Sequence, residues 1–212
     1  MNFIYNTMRV IYRSFRLLYL FTKYLPIIFV YLFLLSNKIK LFIISDLCAW
    51  NTYSFQNSDN IIFNLIITLN DKRFYRNLFY YRISNYYLTR FLNIFYKEER
   101  LFHINHDAYI GSALRLSHPF NTFLNAKSIG DNVEILHNVT IGYNGKDLNG
   151  PVIGNNVLVG CGAVIIGSIS IGNNVNIGSN CAITKDVPSN CTVIGNPAII
   201  VRENGKKIYV KL

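Results

Sequence analysis

The sequence predicts a mainly β fold, a left-handed parallel β-helix of hexapeptide repeats preceded by an α-helical N-terminal region, and three observations carry that expectation. Ile129, Ile135, Ile141, Ile153, Val159, Ile165, Ile171, Ile177 and Ile183 all fall in one six-residue phase. The residue after the aliphatic is commonly glycine, at Gly130, Gly142, Gly154, Gly160, Gly172 and Gly178. No glycine occurs in residues 1–110 while all 13 fall in residues 111–205, so the chain changes construction near Leu101.

Three hexapeptides close one triangular coil; the aliphatic residue fills the prism interior, and the glycine is expected to let the backbone turn the corner. A sandwich with Gly-Asn turns would show two-residue alternation instead, and leucine-rich units have a longer period. Upstream, from Phe55 to Glu99, the segments FNLIITL, NLFYYRI and YYLTRFLNIFY place apolar residues at three- and four-residue steps and read as helices. The expected organisation is a helical, apolar and basic region over 1–100, a β-helix over 101–201 and a C-terminal tail over 202–212.

Charge divides the chain in the same way. Lys and Arg outnumber Asp and Glu by 13 to 5 in residues 1–100 but only by 8 to 6 in residues 101–212. A basic segment rich in aromatics suits an anionic membrane surface or an anionic substrate, and no nucleic-acid motif is present, so nucleic acid is not expected as a partner. Cys48, Cys161, Cys181 and Cys191 show neither a CxxC pair nor metal-ligand spacing, and they read as free thiols with no metal. Residues 24–37 carry no charge, yet as a helix they cover only ~21 Å against a ~30 Å hydrocarbon layer. Extending the run back to Leu17 reaches spanning length and includes Lys23. A helix lying on a membrane, a buried helix and a true span all stay open.

Four segments make the chain resemble the hexapeptide-repeat acyltransferases, and within them the serine acetyltransferase-like group that includes bacterial polysaccharide and colanic acid O-acetyltransferases. They are Leu116-Ser117-His118-Pro119, Leu136 to Gly142, Pro151 to Gly167, and Val193-Ile194-Gly195-Asn196-Pro197-Ala198. The likeness covers roughly residues 75–201. It implies transfer of an acetyl group from acetyl-CoA to a hydroxyl, in a homotrimer with active sites between neighbouring β-helices, and it implies that His118 is the general base. An alcohol is a poor nucleophile until its proton is taken, and a neutral imidazole suits that task near neutral pH.

Phase adds further candidates. His118 and His137 each follow an in-phase aliphatic by two residues, and those aliphatics, Leu116 and Ile135, are 19 apart. With one inserted residue, His118, His137 and Asn155 are expected to stack on one edge, His137 as a second polar contact and Asn155 with Ser117 toward the acceptor. The resemblance implies a pantetheine groove lined by Gly142, Gly160, Cys161 and Ser179, flanked by the turn Tyr143–Gly150 with Gly145 and Lys146. Lys185 and Arg202 are candidates for the anionic end of the cofactor, beside Lys206 and Lys207. Ser117 and His103 stand where serine acetyltransferases carry acids. Their loss points to a sugar or glycan-precursor hydroxyl, with serine as the alternative, and the site is expected on the cytoplasmic side, at the inner membrane face. Asp107 is a candidate orienting carboxylate. A metal hydratase of the same helix would need three convergent histidines, and a non-catalytic scaffold would need neither His118 nor the Gly-Lys turn.

Overall fold

The computed structural model describes residues 2–51, 60–145 and 149–212. Helices come first: α1 (Asn2–Lys23), α2 (Leu25–Phe29) running into a π-helical turn (Val30–Leu34), α3 (Asn37–Asn51), α4 (Ile61–Asp71), α5 (Arg73–Ile83) and α6 (Tyr86–Phe95). Local chemistry sets several ends. The Asn60 and Asn85 side chains accept hydrogen bonds from Phe63 N (3.1 Å) and Leu88 N (3.0 Å), capping α4 and α6. Ser84, left-handed at φ 52°, closes α5. Pro26 sits in the first turn of α2, where its missing N–H is not needed.

Leu65, Leu69, Leu78 and Phe79 form the heart of the helical core. The uncharged segment 24–37 contributes one face to it, through Tyr24, Ile27, Val30 and Tyr31, and leaves Leu25, Phe29, Phe33 and Leu34 uncovered. Among the described residues no single helix is long and apolar enough to cross a membrane. Met8–Lys23 and Leu25–Leu34 pass that test only as a pair bent by 59°.

From Phe102 the chain winds through three parallel sheets. The first contains β1 (Phe102–Ile104), β4 (Thr122–Leu124), β7 (Thr140–Gly142), β10 (Val164–Ile166) and β13 (Ala182–Ile183). The second contains β2 (Tyr109–Ile110), β5 (Ser128–Ile129), β8 (Val152–Ile153) and β11 (Ser170–Ile171). The third contains β3 (Arg115–Ser117), β6 (Glu134–Leu136), β9 (Leu158–Val159), β12 (Asn176–Ile177) and β14 (Cys191–Ile194). Successive strands go to successive sheets, giving the expected triangular β-helix of about five turns. All nine in-phase aliphatics point inward, none more than 2% exposed.

The glycines after them act differently from the expectation. A Cβ on Gly154 would lie 2.8 Å from the Gly172 carbonyl, and one on Gly160 would lie 2.6 Å from Ser179 N, so these positions are small because coils stack closely there. The left-handed corner conformation belongs to asparagines, among them Asn132, Asn138, Asn156, Asn174 and Asn180, with φ of 54–63°.

Residues 202–212 are not a free tail. β15 (Ile199–Glu203) and β16 (Lys206–Lys211) form an antiparallel hairpin through Asn204-Gly205, and β15 pairs with β14, extending the third sheet over its open end. The edge strand of the sheet at this end is then β16, whose Lys206, Lys207 and Lys211 are exposed, a charged edge of the kind that discourages further pairing.

A buried ion pair joins the two regions. Arg82 of α5 bonds both oxygens of Asp46 on α3 (2.8 and 3.1 Å) and donates to the carbonyls of Ile110 (2.7 Å) and Gly111 (2.6 Å) in the first coil. Asp46 accepts in turn from Leu114 N (3.0 Å), while Ala113 N donates to Ser45 Oγ. Burial pushes the Asp46 carboxyl up, against the pull of Arg82. Every polar atom of this cluster that leaves water is matched, which is what lets two charges sit inside.

Candidate active site

The edge where the chain passes from the third sheet to the first carries most of the candidate residues. In the first coil this corner is Ser117-His118-Pro119-Phe120-Asn121, and in the second it is Leu136-His137-Asn138. Ser117 pairs with Leu136 before the corner and Phe123 with Thr140 after it, so six steps in one coil face four in the next. The first coil therefore holds two extra residues here, not one. The surplus bulges around Pro119: His118 is left-handed at φ 53°, and its carbonyl accepts from Phe120 N at 2.8 Å. A non-glycine residue held in that region is a strained one, of the kind that concentrates at functional sites.

The insertion changes which side chains meet. Phe120, not His118, lies over the His137 imidazole, with ring centroids 5.1 Å apart and planes 18° from parallel. His118 is exposed and His137 is half-buried beneath Phe120. Farther along the same edge come Gly160, Cys161 and Ser179, and Cys161 Sγ lies 3.2 Å from Ser179 Oγ, as the phase of these small residues predicts.

His118 opens on a cavity of about 150 Å³ that the sequence does not reveal. The coils supply Arg115, Ser117, His118 and Glu134; the helical region supplies Trp50, Lys72 and Phe74. Trp50 is pinned by its Nε1 donating to Leu114 O at 3.2 Å. Ser117 Oγ donates to Glu134 Oε1 at 2.9 Å, and the other oxygen of Glu134 is ion-paired with Arg115. Arg115 stands opposite Glu134 in the register of β3 and β6. A carboxylate thus reaches the position beside His118 from one coil away. Counting back 19 residues from Glu134 to Arg115 in the repeat would have found this opposition, although not the helical wall.

Other candidates lie on other edges. Asn155 sits where the second sheet passes to the third: its Oδ1 accepts from Asp131 N (2.8 Å) and its N–H donates to Asn173 Oδ1 (2.7 Å). It belongs to a structural ladder there and does not stack with His118 or His137. The turn Tyr143–Gly150 is the cause, because it separates Ile141 from Ile153 by two hexapeptide lengths and shifts every later position by one sheet. Arg202 pairs with Thr192 at the start of β14, also away from the His118 corner. Asp107 is exposed on the edge between first and second sheets, so it does not orient His118; among the described residues no side chain is hydrogen-bonded to the His118 imidazole. His103 lies against Phe123, 6.2 Å between centroids.

The edge between first and second sheets holds Gly142, Gly145 and Lys185; Lys146 lies outside the described residues. Gly145 has φ +80°, which accounts for it as a turn residue. Gly142 differs: its φ is ordinary and a Cβ there would meet nothing nearer than 3.8 Å. Neither packing nor backbone conformation requires a glycine at that point: the position is buried, and a Cβ there would make ordinary van der Waals contact with Asn125 and Ile166. The first sheet runs between this edge and the Cys161–Ser179 edge. The small residues of the Cys161–Ser179 edge are compatible with an extended thioester cofactor laid along the coils.

Fold and edge together define a hexapeptide-repeat β-helix protein with a histidine corner facing a cavity of mixed aromatic and charged lining. Residues 150–185 match the family model described as bacterial transferase hexapeptide (six repeats). The chain is 43% identical over 109 residues to serine acetyltransferase 1, chloroplastic, of Arabidopsis thaliana (49% of this chain, 35% of that protein). It is 37% identical over 131 residues to the serine acetyltransferase of Staphylococcus xylosus (60% of this chain, 61% of that protein). It therefore spans less than two thirds of either relative. Among solved structures it is similar to the serine acetyltransferase of Neisseria gonorrhoeae, with 29% identity, TM-score 0.64, and coverage of 82% of this chain and 69% of that one. It is also similar to the serine acetyltransferase of Brucella abortus strain S19 in complex with coenzyme A, with 27% identity, TM-score 0.62, and coverage of 77% and 68%.

Proposed function

We propose that this chain is an acetyl-CoA-dependent O-acyltransferase with His118 as general base, acting on a small hydroxyl acceptor of the serine type. The observation that carries the reading is the His118 bulge, which faces a cavity holding one carboxylate, Glu134, and two cations, Lys72 and Arg115. His118 would take the acceptor hydroxyl proton as its oxygen attacks the thioester carbonyl; the tetrahedral oxyanion collapses with loss of the CoA thiolate, to which the imidazolium returns the proton. No metal takes part in this scheme.

The acceptor follows from the cavity. Taken alone, Ser117 in place of an acid argues against an amino-acid acceptor and for a sugar or glycan precursor. Glu134 weakens that argument, since its carboxylate lies 2.9 Å from Ser117 Oγ. With Lys72 and Arg115 nearby, the cavity offers partners for both an ammonium and a carboxylate. The relatives named above are serine acetyltransferases, which supports the same choice over a sugar. Acetyl-CoA would lie between the Cys161–Ser179 edge and the turn above Gly142, with Lys185 below that turn.

We also propose a homotrimer, in which outward residues of the sheets such as Leu158, Val164 and Ile194 pack between copies. The deciding experiment measures free thiol released from acetyl-CoA by the purified protein with L-serine, with a panel of sugars and nucleotide sugars, or with no acceptor. Release dependent on serine supports the reading. Release with sugars alone moves the acceptor class, and release with neither refutes the activity under these acceptors.

A further inference from the structure

The helical region presents an apolar surface that acyl transfer does not use. Between α2, its π-helical continuation and α6 runs a groove of about 530 Å³ lined by Leu25, Phe29, Val30, Leu34, Leu88 and Phe91. Around it, large apolar side chains stand in solvent: Phe33 is 71% exposed, Ile94 66% and Tyr87 83%. Along α1, Met8, Ile11, Tyr12, Phe15 and Leu18 are also uncovered. A contiguous patch of this kind marks an interaction site, whereas scattered exposed leucines would not.

Charge selects the partner. Residues 1–45 contain Arg9, Arg13, Arg16, Lys23, Lys38 and Lys40 and no Asp or Glu. Lys40 Nζ donates to Leu32 O at 2.9 Å, which fixes a cation at the end of the π-helical turn, and Arg90 bonds Tyr86 OH at 2.9 Å on α6. Lys40 and Arg90 thus set cations on α3 and α6, the elements beside the apolar face, whereas Arg16 is ion-paired with Asp71 of α4 at 3.9 Å. A second copy docked through the same face would bring like charges together. An anionic lipid surface would take the aromatics at headgroup depth and neutralise the cations at once.

We infer that this face docks on an anionic lipid surface, with α2, the π-helical turn and α6 seated in the interface and the basic residues of α1 and α3 against the headgroups. It is a peripheral contact, independent of the acyl-transfer reading, and would leave the β-helix in water.

The test is flotation of the full-length protein with vesicles of phosphatidylcholine alone or mixed with phosphatidylglycerol, at low and high salt. Partition onto the anionic vesicles at least tenfold above the neutral ones, reduced but not abolished by salt, is the expected result. Replacing Arg9, Arg13 and Arg16 by Gln should weaken that partition by on the order of a hundredfold. Phe33→Ser with Phe91→Ser, both at exposed positions, should remove the salt-resistant part while acetyl transfer and circular dichroism stay as in the parent. Equal partition on both vesicle types, or none, overturns the inference. So does a Phe33→Ser, Phe91→Ser protein that changes only its sedimentation coefficient, since a second copy would then be what covers the face.

Discussion

The two regions of this chain are held together by different physics. The β-helix repeats one solution: an aliphatic inside, a small residue where coils touch, and an asparagine in the left-handed corner, with each coil contacting its neighbours. The helical region repeats nothing. It depends on single, non-repeating contacts between elements, such as Arg76 donating to the carbonyls of Leu69 (2.7 Å) and Lys97 (2.9 Å), or Tyr24 stacked on Tyr96 at 5.0 Å. The candidate site is built where they meet, with His118 on a coil and the far wall on α3 and the start of α5. Periodicity alone therefore yields half of such a site.

The sharpest break in this comparison is at the joint. Arg82→Met would leave Asp46 buried without its partner, which should destabilise the protein by ~3–5 kcal/mol. Urea unfolding followed by circular dichroism checks this, and an unchanged midpoint would mean that the two regions are not welded by this pair. Inside the β-helix, Ile165→Ala should lower stability by ~2–5 kcal/mol in the same assay, because coils on either side hold the cavity open. A cost below ~1 kcal/mol would indicate a coil that collapses freely, unlike a close-packed prism.

Smaller effects sharpen the comparison at the site itself. Glu134→Gln keeps the shape and removes the charge, so the KM for serine should rise by roughly 10- to 100-fold, the worth of a hydrogen bond to a charged group, while the KM for acetyl-CoA stays the same. Steady-state kinetics separates the two constants; a fall in kcat alone would assign Glu134 to another role. The smallest effect is on the ladder edge. Asp131 accepts from Ser112 N (2.7 Å) and Ser112 Oγ (2.8 Å), and these bonds hold its carboxyl below the ordinary value. A depressed folded-state pKa gives stabilisation that is present above the unfolded carboxylate value, ~3.9, and is lost as pH falls through the lower folded value. The stability difference between the parent and Asp131→Ala should therefore shrink as pH falls below about 4; a difference that stays constant on acidification would contradict the assignment.

How far the sequence reaches follows the same division. The six-residue phase of Ile129 to Ile183 is enough to put nine side chains inside, and the absence of glycine before Gly111 is enough to locate the change of architecture. Placement across an interruption is where it fails. The spacing of 18 between Ile135 and Ile153 alone would put Asn155 beside His137, but the turn Tyr143–Gly150 adds one hexapeptide length without crossing a sheet face. The spacing of 12 between Ile141 and Ile153 holds that information, provided the turn is counted as an insertion. The bulge at Pro119 is likewise visible only as an odd spacing, and nothing in the sequence says that Phe120 fills the place above His137. Trp50, Lys72 and Phe74 carry no signal at all: their position beside His118 results from how α3 and α5 pack on the first coil, through Asp46 and Arg82.

The central claim is that the His118 bulge is the acid–base centre of an acetyl transfer. Its most direct test compares parent and His118→Ala for serine-dependent thiol release from acetyl-CoA, with the affinity for CoA measured in parallel. The expected result is turnover lower by roughly 10²–10⁴ with CoA affinity nearly unchanged, and loss of the acid limb of the kcat/KM profile. A His118→Ala protein that transfers acetyl groups at a near-normal rate would contradict it, and a loss confined to His137→Ala would move the base to the half-buried imidazole under Phe120.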